Sequence, residues 1–157
     1  MGAMQRLRCK RMTTNAVIIE DIHDLLALQK GLMEARFCSQ PYDTGVSGSP
    51  NLARIHRNVI AAIRGANMPG GLSPDNWDRW LVIDDSRREW GIAVDRARSH
   101  SLWSRMTDAE RRVLATDLLA PFILDEEVLG KFFRAVLDST ASNRPLIFNS
   151  VGESRQS

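Results

Sequence analysis

Residues Ser73–His100 read SPDNWDRWLVIDDSRREWGIAVDRARSH. Trp77, Trp80 and Trp90 stand in this stretch and Trp103 follows just after it. The chain holds four Trp, five Phe and one Tyr, so its bulkiest side chains concentrate here. Trp80, Ile83, Arg87, Trp90 and Val94 recur three or four residues apart, which is the spacing of one helix face. That spacing predicts one long central helix, bent near Asp85. Asp84 and Arg88 can pair at i, i+4 along it. A competing signal is Ser86-Arg87-Arg88-Glu89, which has the form of a capping box and would restart a second helix. The uninterrupted face favours continuity. Residues Asp84–Glu89 are too charged for a helix buried all round. The element is therefore expected to be half core and half presentation surface, with Trp77 or Trp90 at the boundary.

Upstream, MPGGLSP (Met68–Pro74) breaks the chain with two prolines and a Gly-Gly pair. Before it, Leu52, Ile55, Val59, Ala62, Ile63 and Ala66 predict a helix over 50–66, with Ser49 as its cap and Pro50 in its first turn. Arg54, Arg57 and Arg64 lie off that stripe, and His56 beside it should shield a core edge. SQPYDTGVSGSP (Ser39–Pro50) reads as a connector that Tyr42 pins to the body. Its glycines are no phosphate cradle, because no strand precedes them and no Lys follows. The first helix is expected over 15–36, capped by Thr13, Thr14 or Asn15, with Ile18, Ile22, Leu25, Leu32 and Met33 on its buried face.

Downstream, Ser99–Met106 turns the chain. Thr107-Asp108-Ala109-Glu110 is a second capping box. The helix it opens should run to Leu119 and bury Val113, Leu114 and Leu118. Pro121 ends it. Asp125 caps a last helix whose apolar face is Val128, Leu129, Phe132, Phe133, Val136 and Leu137. The fold class is thus all-α, a compact bundle of about five helices with a long Trp-rich centre. Residues 1–12 form a basic, flexible leader, 13–138 a single helical domain, and 139–157 a polar tail. Within the tail only Leu146, Ile147, Phe148 and Val151 form an apolar cluster, and Leu146–Phe148 is the one faint strand pattern.

Composition narrows the function. With 157 residues, 43% hydrophobic and 25% charged, the chain can build one core without disulfide or metal. No run approaches the ~18 apolar residues of a membrane span. No secretory signal stands at the start. Cys9 and Cys38 have no metal or redox spacing, so a reducing, cytoplasmic setting is expected. Net charge is +2. Arg6, Arg8, Lys10 and Arg11 supply four of the 21 basic residues, which leaves 17 against 19 acidic ones in the body. The body is therefore no general polyanion binder.

Catalytic candidates are sparse. Glu20-x-x-His23 is a single pair, whereas di-iron bundles use two such pairs and two further glutamates. Asp84 and Asp85 point about 100° apart on a helix, and the arginines beside them keep them ionised. No G-x-S-x-G nucleophile motif occurs. No catalytic residue, metal or cofactor is assigned. The expectation is a small non-enzymatic protein-interaction or regulatory module, with another protein or a second copy as partner and no membrane. Its partner-binding candidates are Tyr42, Trp77, Trp80, Arg87, Arg88 and Trp90.

MTDAERRVL (Met106–Leu114) resembles locally the first helix of helix-turn-helix domains of the sigma-factor or response-regulator type. The resemblance implies a nucleic-acid-binding regulator over 106–144 as the alternative. Arg6, Arg8, Lys10, Arg11, Arg54 and Arg57 would then be phosphate contacts. The chain departs from the pattern beyond Leu114. Pro121 and Phe122 stand where a second helix should approach, and Gly130 comes too early for the turn. The would-be recognition segment from Ser139 runs into Pro145 with only Arg144 basic, where base readout draws on Arg, Lys, Asn or Gln.

Overall fold

The computed structural model describes residues 17–66 and 74–138. Residues 1–16, with the basic leader and the cap candidates Thr13, Thr14 and Asn15, residues 67–73, and residues 139–157, with Leu146–Phe148, lie outside the described residues. The described residues form seven helices and no strand: α1 (Ile22–Arg36), α2 (Thr44–Ser47), α3 (Pro50–Gly65), α4 (Pro74–Leu81), α5 (Arg88–Ser99), α6 (Asp108–Leu119) and α7 (Glu126–Asp138). A 3-10 turn, Trp103–Arg105, joins α5 to α6. The fold is all-α.

Local chemistry sets most helix starts. The first N–H groups of a helix have no partner within it, and a short polar side chain supplies one. The Ser49 hydroxyl accepts from the Leu52 N–H at 3.3 Å, with Pro50 in the first turn. The Asp125 carboxylate accepts from the Val128 N–H at 2.8 Å. The capping box forms as expected: Thr107 Oγ1 accepts from the Glu110 N–H, and the Glu110 carboxylate accepts from the Thr107 N–H at 2.7 Å. Those bonds hold the Glu110 carboxyl below its usual range. Thr107→Ala should cost about 1 kcal/mol, while Thr107→Ser should be close to neutral. Paired urea melts check this.

α1 begins later than the 15–36 expected. Asp21 takes the cap by accepting from the N–H groups of His23 and Asp24, at 2.7 and 3.4 Å. Val17, Ile18 and Ile19 precede the helix and are exposed.

The long central helix is not formed. It stops at Leu81 and restarts at Arg88. Three interactions hold the break. The Ile123 N–H donates to the Leu81 carbonyl at 3.0 Å, within an isolated parallel bridge between Val82 and Ile123. The Asp84 carboxylate accepts from the Ser86 N–H at 2.9 Å and from its hydroxyl, closing a tight turn. The Arg87 guanidinium donates to the carbonyls of Trp80 and Val82 at 2.7 and 2.8 Å. The Ser86 capping box is absent too: its hydroxyl is held by Asp84, and Arg87 occupies the cap position of α5 without a side-chain cap bond.

The interior is divided into two apolar clusters. Leu25, Leu32, Val59, Ile60, Ile63, Trp77 and Leu81 join α1, α3 and α4. Trp90, Val94, Trp103, Leu119, Phe122 and Phe132 are the bulk of the second, among α5, α6 and α7. Trp80, half-buried, packs against both. The expected stripe of α3 is rotated. On α3, Ile55 and Ala62 face outward and the buried face is Ala53, His56, Val59, Ile60 and Ile63. Val113 and Leu137 are exposed rather than buried.

Candidate functional site

A polar seam runs where α1, α3, α5 and α6 meet. Arg36, the last residue of α1, is only 1% exposed. Its guanidinium donates to the carbonyls of Asp117 and Leu118 at the end of α6, the latter at 3.5 Å, and to the Ser49 carbonyl at 3.5 Å. A helix C-terminus presents unpaired carbonyls and a partial negative charge, so a cation there is favourable. Arg57 reinforces the same helix end, donating to the Thr116 carbonyl at 3.4 Å and the Asp117 carboxylate at 3.0 Å. From α5, Arg96 donates to the carbonyls of Arg36, Cys38 (3.0 Å) and Ser47 (3.4 Å). Burial, followed by the charge of Arg57, lowers Arg36 to about 10, so it stays charged at neutral pH.

His56 lies in this seam with no exposed surface. Neither ring nitrogen has a hydrogen-bond partner. Burial and the neighbouring Arg36 push its pKa down to about 4, so the ring is neutral at pH 7.

Across the outer edge of the seam runs a groove of about 730 Å³. One wall is the Ser39–Pro50 connector and the other is α5, with α6 beneath. Ile92, Leu114 and Leu118, with Pro41 and Pro50, make it apolar, while Thr44, Asp95, Ser99 and His100 give polar points at the rim. The polar groups are already engaged in structure. Asp95 pairs with Arg98 at 3.1 Å, Arg96 is spent on three carbonyls, and the His100 ring accepts from the Leu102 N–H at 3.4 Å. The groove thus has apolar walls and floor with a polar rim.

The sequence-derived candidates scatter. Trp77 and Trp90 are each 6% exposed and belong to the two cores, so neither sits at a presentation boundary. Trp80 stands edge-on to Trp77 at 5.3 Å and packs tilted against Phe122 at 5.5 Å. Arg87 folds over Phe122 and Trp80, 4.7 and 5.7 Å from the ring centres, and acts as a clamp on the α4–α5 break. Arg88 is exposed, 3.9 Å from Glu34. Tyr42 does not pin its loop; it is fully exposed, beside Pro41 of the groove wall. Arg54 is exposed, Arg57 is bonded to Asp117, and Arg64 is paired with Asp78, so that helix presents no free row of arginines.

Glu20 precedes the cap of α1, so Glu20 and His23 share no helix face. Asp84 faces solvent, with its carboxyl held below the usual range by the hydroxyl and N–H of Ser86; Asp85 is exposed. Among the described residues no three or more His, Cys, Asp or Glu side chains are grouped to hold a metal ion. No helix among the described residues is long and apolar enough to cross a membrane. Arg6, Arg8, Lys10 and Arg11 lie outside the described residues, as does the segment from Ser139 that would read DNA. α7 itself buries Leu129, Phe132 and Val136.

The groove and the seam escaped the sequence reading. A signal was present for two of the seam residues. Arg36 continues the buried stripe Leu25, Gln29, Leu32 at helical spacing, and His56 stands between Ala53 and Val59 at three-residue steps. No family model, curated protein or solved structure matches the chain.

Proposed function

We propose that the chain is a non-enzymatic protein-interaction module whose groove, between the Ser39–Pro50 connector and α5–α6, takes an apolar segment of a partner protein. The observation that carries this reading is the apolar groove with a fully exposed tyrosine on its wall segment. Tyrosine is enriched at the energetic centres of interfaces because it offers a rigid apolar ring with a polar tip. Of the candidates named from sequence, Trp77, Trp90 and Arg87 serve the interior, and Tyr42 is the exposed aromatic beside the groove on which this reading rests.

Affinity capture with the full chain tests it, followed by titration of the recovered partner against variants. Tyr42→Ala and Ser99→Arg, the latter at the groove rim, should each weaken binding about tenfold or more. Tyr42→Ala should leave stability within about 0.5 kcal/mol, as expected for an exposed side chain. Arg54→Ala, away from the groove, should change neither. Partner binding that survives both Tyr42→Ala and Ser99→Arg sinks the reading.

A further inference from the structure

We infer that the polar seam is an acid-sensitive latch on the groove: proton uptake by His56 loosens the hold of Arg36 on Ser49 and on the end of α6, and the two walls of the groove part. This rests on the groove being the binding surface. The two walls belong to different halves of the molecule. Ser39–Pro50 leads into α3 and the first apolar cluster, whereas Ile92, Ser99, Leu114 and Leu118 belong to the α5–α7 half. Few groups tie these halves together at the groove. Arg36 bonds Ser49 of the connector wall and Leu118 of the floor at once, and Arg96, on the α5 wall, bonds Ser47 of the connector wall.

The charges around His56 make the seam sensitive. Arg36 faces it from α1. Arg57 follows it on α3, Asp117 on α6 is paired with Arg57, and Arg96 on α5 lies close enough to Arg36 to lower it. At neutral pH the seam thus carries three guanidinium groups against the one carboxylate of Asp117. A proton on His56 adds a further buried cation with no acceptor on either ring nitrogen. The arrangement can relieve it only by withdrawing Arg36 or admitting water, and either step releases Ser49 and the α6 carbonyls.

The sign follows from linkage. The folded pKa of His56 is depressed from the ordinary 6.5 to about 4. The opened state binds the proton more readily, so closure is held fully above pH 6.5 and is lost as pH falls towards 4. From pH 7 to pH 5 the closed-to-open ratio should fall about 20-fold.

Two measurements on the full chain test the latch. Amide exchange, corrected for its intrinsic pH dependence, is followed at Ala53, whose N–H donates to the Ser49 carbonyl at 3.0 Å. Methyl NMR follows Ile92, Leu114 and Leu118, and ring signals give the midpoint of His56 itself. The wild type should show the 20-fold loss of protection together with methyl shifts between pH 7 and 5. His56→Leu should abolish both; His56→Gln serves the same purpose should the leucine variant not fold. His100→Gln removes the groove's own histidine and should leave both intact. Loss of protection that survives removal of His56, or that vanishes with His100→Gln, overturns the latch. So does a His56 ring that titrates near 6.5 with the groove methyls unmoved. No partner enters these readouts. A groove that binds no protein but still opens with His56 defeats the proposed function alone, and a groove that binds a partner without responding to pH defeats the latch alone.

Discussion

A Phe132→Ala chain should lose about 3–5 kcal/mol of stability, seen as a matching fall in the urea midpoint. Phe132 is wholly buried in the middle of α7. Its ring stands edge-on to Trp90 of α5, with centroids 5.4 Å apart and planes at 89°, and 6.4 Å from Phe133. Such edge contacts add about 0.5–1.5 kcal/mol to the area term. Truncation to Ala removes the ring from between two helices that cannot fully collapse into the gap, so a cavity term adds to the lost transfer energy. Domains of this size have about 5–15 kcal/mol in all, so the change takes a large share. Phe132→Leu keeps most of the volume and should cost less than half as much. A loss below about 1 kcal/mol for the alanine variant would mean that α7 is not held to α5 through this ring.

The same helix shows what could be read from the sequence and what could not. The apolar spacing of Leu129, Phe132 and Val136 and the cap at Asp125 are local, and both are legible without a structure. So are the Thr107–Glu110 box and the Ser49-Pro50 start of α3. Each depends on residues within four positions of one another, where helical geometry alone fixes the neighbours. The break at Leu81–Arg88 is different. Trp80, Ile83, Arg87, Trp90 and Val94 do keep helical spacing, and that pattern argued for continuity. What overrides it is distant in sequence: the Ile123 N–H on the Leu81 carbonyl, and the Phe122 ring beneath the Arg87 guanidinium. Periodicity reports which side chains are apolar; it carries no record of partners 35 and 42 residues away.

The candidate site was the least legible part for a related reason. Arginine is read as surface by default, because an unpaired buried charge is costly. Arg36 and Arg96 escape that cost by donating to main-chain carbonyls 49 to 82 residues away, or at Ser49 thirteen away. Carbonyls are present at every position and leave no mark in the sequence. The tryptophans misled in the opposite sense. The charge at Asp84–Glu89 argued for placing Trp77 or Trp90 at a presentation boundary, yet both are buried with Trp103, and Trp80 bridges the two apolar clusters.

The second large effect is expected at Arg36, and two substitutions separate its parts. Arg36→Ala should cost about 2–4 kcal/mol. The carbonyls of Asp117, Leu118 and Ser49 lose a donor where little water reaches them, at about 1–3 kcal/mol for each group left unsatisfied. A cavity opens as well. Relief of the desolvated guanidinium, and of its repulsion with Arg57 and Arg96, offsets part of this. Arg36→Met fills the volume with an unbranched apolar chain and should recover about half the loss. Both variants remove the charge beside His56. Burial is the larger cause of its low pKa and Arg36 the second, so in Arg36→Met the ring should titrate above about 4 yet still below 6.5. The full depression in the wild type corresponds to about 3 kcal/mol, present above pH 6.5 and lost as pH falls towards 4. A smaller depression shrinks that loss, so Arg36→Met should be less stable than wild type at pH 7 but should give up less on acidification to pH 5. Chemical melts at the two pH values measure this. Equal acid losses in the two chains would show that Arg36 does not act on His56, leaving burial as the sole cause.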